Sequence, residues 1–276
     1  MSETTQTVDT QFREPGSEGR ELRILFVTGA ATNGAALIAF NDPAPCHAAV
    51  ADTAPDHAVR TESESAADEF LRVLLLPSAT PPPSPSSDDA ARTIFLKYRG
   101  VELTWRPGYA TLQCDPGQAE TLLPALAEFA HYERELRRIE SEIAAGWTDL
   151  AQDKALAFEI APADLQRTDA VGSRMNNAFG RRIRYARIEP HLYEPGATLS
   201  AAGQKLGAEL REKARIESRL ETIDAQLEVY EHIYELGSQR LGEYRAAREE
   251  HVLEWIIIVL LAAELLALLA QMLLKH

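Results

Sequence analysis

The chain has 276 residues, a formal charge of −14 and two cysteines. That length holds one medium domain with extensions. Cys46 and Cys114 exclude a disulfide framework and carry no metal-ligand spacing, and no His–Cys or His–Glu metal signature accompanies them, so no cofactor is expected.

Residues 1–20 are polar, lack the apolar core of a signal peptide and read as a disordered tail; the two cysteines fit a reducing compartment, and the body is expected in the cytoplasm. Residues 21–200 are expected to form an α+β domain. Leu22 to Val27 predicts a strand, Thr28 to Gly34 a small-residue loop, and Ala35 to Phe40 the start of a helix. The segment Gly29-Ala-Ala-Thr-Asn-Gly34 therefore raises a phosphate loop, and with it a nucleotide-binding enzyme. Ala35 and Ala36 stand where a triphosphate loop needs Lys and Ser or Thr, so a plain turn is the stronger reading.

Leu71 to Leu76 predicts a buried strand, and the Pro- and Ser-rich stretch 77–89 a flexible loop. Thr93 to Tyr98 and Val101 to Trp105 predict a hairpin turning at Arg99-Gly100, and Tyr109 to Cys114 a further strand. From Gln118 the apolar spacing of Leu122, Leu126, Phe129, Leu136 and Ile143 is helical, with Pro124 assigned to the first turn. Glu135 and Glu142 share a face of that helix and are expected to point to solvent. Phe158 to Ile160 is a weak strand candidate, Pro162 opens a helix to about Phe179, Arg182 to Ile188 reads as a last strand, and Pro190 to Gly196 as a loop.

One dense basic stretch, Arg174 to Arg187, interrupts the acidic chain. Arg181, Arg182 and Arg184 are the candidate contact for RNA, a ribosome or an acidic protein. Pairing of these arginines within the fold is the competing reading.

Residues 201–252 are expected to form a coiled-coil stalk. Ile216, Leu220, Ile223, Leu227, Tyr230, Tyr234, Gly237, Leu241 and Tyr244 follow alternating steps of four and three, the seam of a coiled coil or of an antiparallel helix pair. Val229, Ile233 and Leu236 widen the stripe toward a bundle, and Gly237 and Gly242 predict a bend.

Residues 253–274 predict a transmembrane helix and a single-pass tail anchor in the inner (cytoplasmic) membrane. From Trp255 to Leu274 twelve Leu, Ile and Val residues supply on the order of −4 to −7 kcal/mol for insertion, opposed by about 2.5 to 3.5 kcal/mol at Glu264. Leu253, Glu254, Trp255 and Glu264 are expected to set the anchor. Ala263, Glu264, Ala267, Ala270 and Gln271 mark a helix-association face. The alternative for the same run is a C-terminal helix buried in an assembly.

The run Arg248-Glu-Glu-His-Val-Leu253-Glu254-Trp255, continued by Ile256 to Leu261 and Glu264, resembles the closing signature of the required-for-meiotic-nuclear-division family (the domain of unknown function numbered 155). Leu220 to Leu241 is similar to that family's helix before its membrane span, and Lys97 to Trp105 to its aromatic-glycine hairpin. The resemblance implies an α+β domain, a helical hairpin, an inner-membrane anchor, large assemblies and support of translation at the membrane, with no catalytic residues.

The function these features predict is a membrane-anchored, self-associating scaffold without catalytic activity, whose partners are the lipid bilayer, further copies of itself and an RNA, ribosome or acidic protein. The alternatives are a nucleotide-binding enzyme using Gly29 to Gly34, or a subunit of a pore or transporter.

Overall fold

The computed structural model describes residues 19–28, 35–52, 70–77, 93–98, 100–158 and 160–274, with side chains of the last helix described to Ala267. They fall into two compact units, one drawn from 1–141 and 183–223, the other from 142–182 and 224–276. The segments assigned to the tail (to residue 18), to Gly29–Gly34 and, from residue 78, to the Pro/Ser loop lie outside the described residues.

The first unit is built on one seven-stranded sheet. Its strands are β1 (Arg20–Val27), β2 (Ala35–Phe40), β3 (Cys46–Asp52), β4 (Phe70–Leu76), β5 (Ile94–Tyr98), β6 (Val101–Arg106) and β7 (Tyr109–Gln113). They lie in the order β2-β3-β1-β4-β7-β6-β5, antiparallel except where β4 runs parallel to β7. The β5–β6 hairpin turns as expected, and Gly100 takes φ +81°, a conformation glycine adopts without steric cost. Period-two alternation gives the sheet two faces: Leu22, Ile24, Leu71, Val73, Val101, Leu103 and Trp105 are buried on one.

Helix α1 (Pro116–Asp153) covers that buried face, opening on proline at its preferred first position. Trp105 meets Phe129 edge-on at 4.9 Å between centroids, and Leu122, Leu126, Leu136 and Ile139 are fully buried. Pro124 sits well inside α1, beyond the expected first turn. Glu135, expected in solvent, is buried beside Arg134. The unit also takes the last part of α2 (Thr168–Tyr193), α3 (Ala201–Lys213) and the first residues of α4 (Ile216–Leu274). Ser200 caps α3 by accepting from Gly203 N–H at 3.0 Å. A buried pair, Arg211–Glu128 at 2.7 Å, joins α3 to α1, and Glu128 also accepts from Gly196 N–H at 3.0 Å.

The second unit contains the end of α1, short 3-10 turns at Lys154–Ala157 and Pro162–Arg167, the first part of α2 and α4 from Asp224. Asp153 is its electrostatic centre: the carboxylate receives Arg167 and Arg174, with Tyr234 Oη at 3.5 Å. Tyr230 Oη donates to the Ile143 carbonyl at 2.7 Å. The expected bend at Gly237 and Gly242 is not a break, since α4 is helical through both.

Several expectations are overturned. Ala35–Phe40 is a strand, because pairing to β3 and burial of Phe40 outweigh the helix propensity of three alanines, worth tenths of a kcal/mol each over ordinary residues. The strand expected at Arg182 to Ile188 is helix: Tyr185, Ile188 and Leu192 are buried at helical spacing. Phe158 lies in a turn and is exposed.

The coiled-coil stalk is also corrected. Ile216, Leu220, Ile223, Leu227, Tyr230, Tyr234 and Leu241 are buried and Tyr244 half-buried within this one chain, so the stripe is spent on its own fold. In the first unit Tyr185 Oη donates to Leu220 O at 3.2 Å, and Arg219 clamps Glu140 and Glu133. In the second, Trp147 packs edge-on against Tyr230.

The transmembrane tail anchor and inner-membrane localisation are overturned as well. No helix among the described residues is long and apolar enough to cross a membrane. Glu254 and Glu264 bound an uncharged run of nine residues, Trp255 to Ala263. As helix that run measures about 13.5 Å, less than half of a hydrocarbon core of about 30 Å.

Candidate functional site

Among the described residues, the distal part of α4 is the most exposed apolar surface. Eleven large apolar side chains between Val252 and Leu266 are each half or more exposed. Successive helical residues are about 100° apart, so Trp255, Ile256, Ile257 and Ile258 alone encircle the axis. Of the residues predicted for anchoring and association, Leu253, Glu254, Trp255, Ala263, Glu264 and Ala267 all lie exposed on this segment. Ala270 and Gln271 belong to the same helix, beyond the described side chains. A cleft of about 800 Å³ adjoins its start, lined by Leu165, Thr168, Arg245, Arg248, Val252 and Leu253 among others. Arg245 there pairs with Glu249 at 3.3 Å.

A second cluster was not legible in the sequence. In the first unit the loop after β2, the start of β3, α1 and the end of α2 bring Asp42, Cys46, His131, Arg187 and His191 together. Asp42 accepts from Arg187 Nε at 2.8 Å and faces His191 Nε2 at 3.3 Å. The Arg187 hydrogen bond, helped by His191, holds the Asp42 carboxyl below its ordinary range. His131 stacks on Phe40 at 4.2 Å, and Tyr132 stacks on His191 at 4.5 Å. His131 Nε2 lies 3.1 Å from the Asp42 carbonyl, which can only accept, so that nitrogen carries the proton.

Cys46 Sγ lies 3.9 Å and 4.0 Å from the two ring nitrogens of His131. Burial pushes His131 down to about 4 and raises the Cys46 thiol. Both groups are therefore uncharged at neutral pH, the reverse of the thiolate–imidazolium pair of an activated nucleophile. The cluster is a packed polar joint between sheet and helices. With Cys46 and His131 85 positions apart in the chain, no local spacing could announce it.

The basic stretch divides between the units. In the second, Arg174 is held by Asp153 and Asp149, Arg182 by Asp224 with Glu231 at 3.8 Å, and Arg181 lies 5.0 Å over the Tyr230 ring. In the first, Arg187 pairs with Asp42 and Arg184 is half-buried on α2. The fold thus gives at least four of these arginines partners of their own.

The phosphate-loop candidate Gly29–Gly34 lies outside the described residues, and the element that follows it is the strand β2. The strand–loop–helix context of a phosphate loop is therefore absent around it. Among the described residues no group of three or more His, Cys, Asp or Glu side chains has the geometry of a metal site. Compared with known proteins, the chain matches no family model, no curated protein and no solved structure.

Proposed function

We propose that this protein is a self-associating scaffold, in which the distal segment of α4 packs against the same segment of further copies and gathers the folded units around a helical core. The observation that carries this reading is the apolar belt from Val252 to Leu266, exposed on every side of the helix. A helix apolar all round is stable in water only when other chains bury it, and a patch this large on a monomer marks an interaction surface.

The magnitude sets the stoichiometry. Full burial of a large aliphatic side chain is worth about 1.5–3 kcal/mol, and half of each is still exposed, so the eleven side chains offer roughly 10 kcal/mol. Association costs about 4–15 kcal/mol per partner. A two-helix contact covers one stripe and realises about half of the gain, whereas three or more helices cover the circumference. The scaffold is therefore a trimer or larger.

Sedimentation velocity on the full chain tests this. An assembly of three or more copies is expected, dispersed by the triple substitution Leu253→Glu, Ile257→Glu and Leu260→Glu, which charges one face. A full chain that sediments as a monomer at tens of micromolar overturns the proposal.

A further inference from the structure

The cleft beside the start of the apolar belt belongs wholly to the second unit. Its walls come from the end of the second 3-10 turn with the first residues of α2, and from α4 between Arg245 and Leu253. Four charged side chains line it, two of each sign: Asp169 and Glu249, Arg245 and Arg248. Arg245 is spent on Glu249 one turn along α4, and the Thr168 hydroxyl on the Leu165 carbonyl at 2.8 Å. Asp169 and Arg248 remain. Both are exposed, and neither has an ion-pair partner among the described residues of the chain.

Opposite charges that line one cleft without pairing are complementary to the same cleft on a second copy. A two-fold axis that sets two clefts face to face brings Asp169 of each copy to Arg248 of the other, so one operation satisfies all four groups. Charge balance singles this patch out. Two chains of formal charge −14 repel each other, so a contact between them needs a patch whose own charges cancel. Two cations and two anions do so here, and they leave no net charge to select a phosphate or a strongly basic partner. The cleft is also continuous with the belt, because Val252 and Leu253 line it and are 53% and 61% exposed.

We infer that the cleft is a two-fold contact between copies of this chain, in which Asp169 of one pairs with Arg248 of the other and Leu165, Val252 and Leu253 are covered beside them. The inference rests on the scaffold reading and gives it a symmetry. The belt needs three or more helices and the clefts join copies two by two, so the assembly holds an even number of chains, four at the least. An exposed ion pair contributes little by itself. Its role is selection, since a like charge in the same place costs far more than the pair gains.

Sedimentation velocity of the full chain over a concentration series tests the contact, at about 0.1 M salt, where screening sets in beyond about 10 Å. Asp169→Arg and Arg248→Asp should each move assembly to about hundredfold higher concentration, because each turns both contacts of an axis into repulsions. An equimolar mixture of the two variants should assemble as the unaltered chain does, since every altered charge then meets its opposite. The double variant Asp169→Arg/Arg248→Asp should do the same. Both positions are exposed, and far-UV circular dichroism confirms that each variant is folded. The inference is overturned, with the scaffold proposal left standing, if either single variant assembles like the unaltered chain or if the assembly holds an odd number of copies. Rescue by the double variant without rescue by the mixture overturns it too, because the pair would then form inside one chain. A full chain that stays monomeric at tens of micromolar removes both readings.

Discussion

Replacing His131 by glutamine should flatten the acid limb of this protein's stability curve. The imidazole is 2% exposed, stacked on Phe40, and donates to the Asp42 carbonyl. Burial depresses it from 6.5 to about 4. In the unfolded chain it protonates near 6.5, while in the fold it stays neutral down to about 4. The unfolded state therefore binds the extra proton first, and stability falls as pH drops through that window. Linkage gives a loss of about 1.4 kcal/mol at pH 5.5 and about 2.5 kcal/mol at pH 4.5, relative to pH 7.5. Glutamine keeps an N–H for the Asp42 carbonyl and does not titrate. Urea denaturation of both proteins across pH 4.5 to 7.5, followed by far-UV circular dichroism, measures the difference. Asp42, whose carboxyl is held low by Arg187, adds acid lability of the same sign to both, so the comparison isolates His131. Parallel curves for the two proteins would show that His131 protonates inside the fold and refute the burial argument.

Glu128→Ala should lower stability by about 3–5 kcal/mol, because it strands the Arg211 guanidinium in a site where both partners are 5% exposed, and the shift in urea midpoint reads it. Two glycines of the second unit should respond oppositely to alanine in thermal melts. At Gly146 a new Cβ would sit 2.8 Å from Tyr230 Oη and break its bond to Ile143, so Gly146→Ala destabilises. At Gly237 the nearest atom would be 3.5 Å away, ordinary contact, so Gly237→Ala gains up to about 1 kcal/mol of helix propensity. Glu264→Leu should tighten the proposed assembly on the order of tenfold, about 1.4 kcal/mol, and broaden its stoichiometry in sedimentation. A lone polar residue in an apolar helix contact specifies register at the expense of stability.

Patterning by itself determined the elements whose periodicity is local. The β5–β6 hairpin, the strands at Leu71 and Tyr109, and the long helix through Leu122, Phe129 and Ile143 are all readable from spacing, because their burial and their turn residues lie within a few positions. Distal α4 was readable as an apolar helix for the same reason. Tertiary structure decided what those helices and strands face. The stripe from Ile216 to Leu241 has the same spacing whether its partner is another chain or its own α1 and α2, and only the fold shows it buried at home. Ala35–Phe40 became a strand because a neighbouring strand supplied its hydrogen bonds, a cause that no local propensity contains. The joint of Asp42, Cys46, His131 and His191, and the row of Arg23, Arg72, Tyr109 and Arg106 across β1, β4, β7 and β6, exist through register and packing across more than eighty positions. A one-residue slip of β4 would turn Arg72 into the core, so the position of the row is a property of strand pairing that composition and charge do not encode.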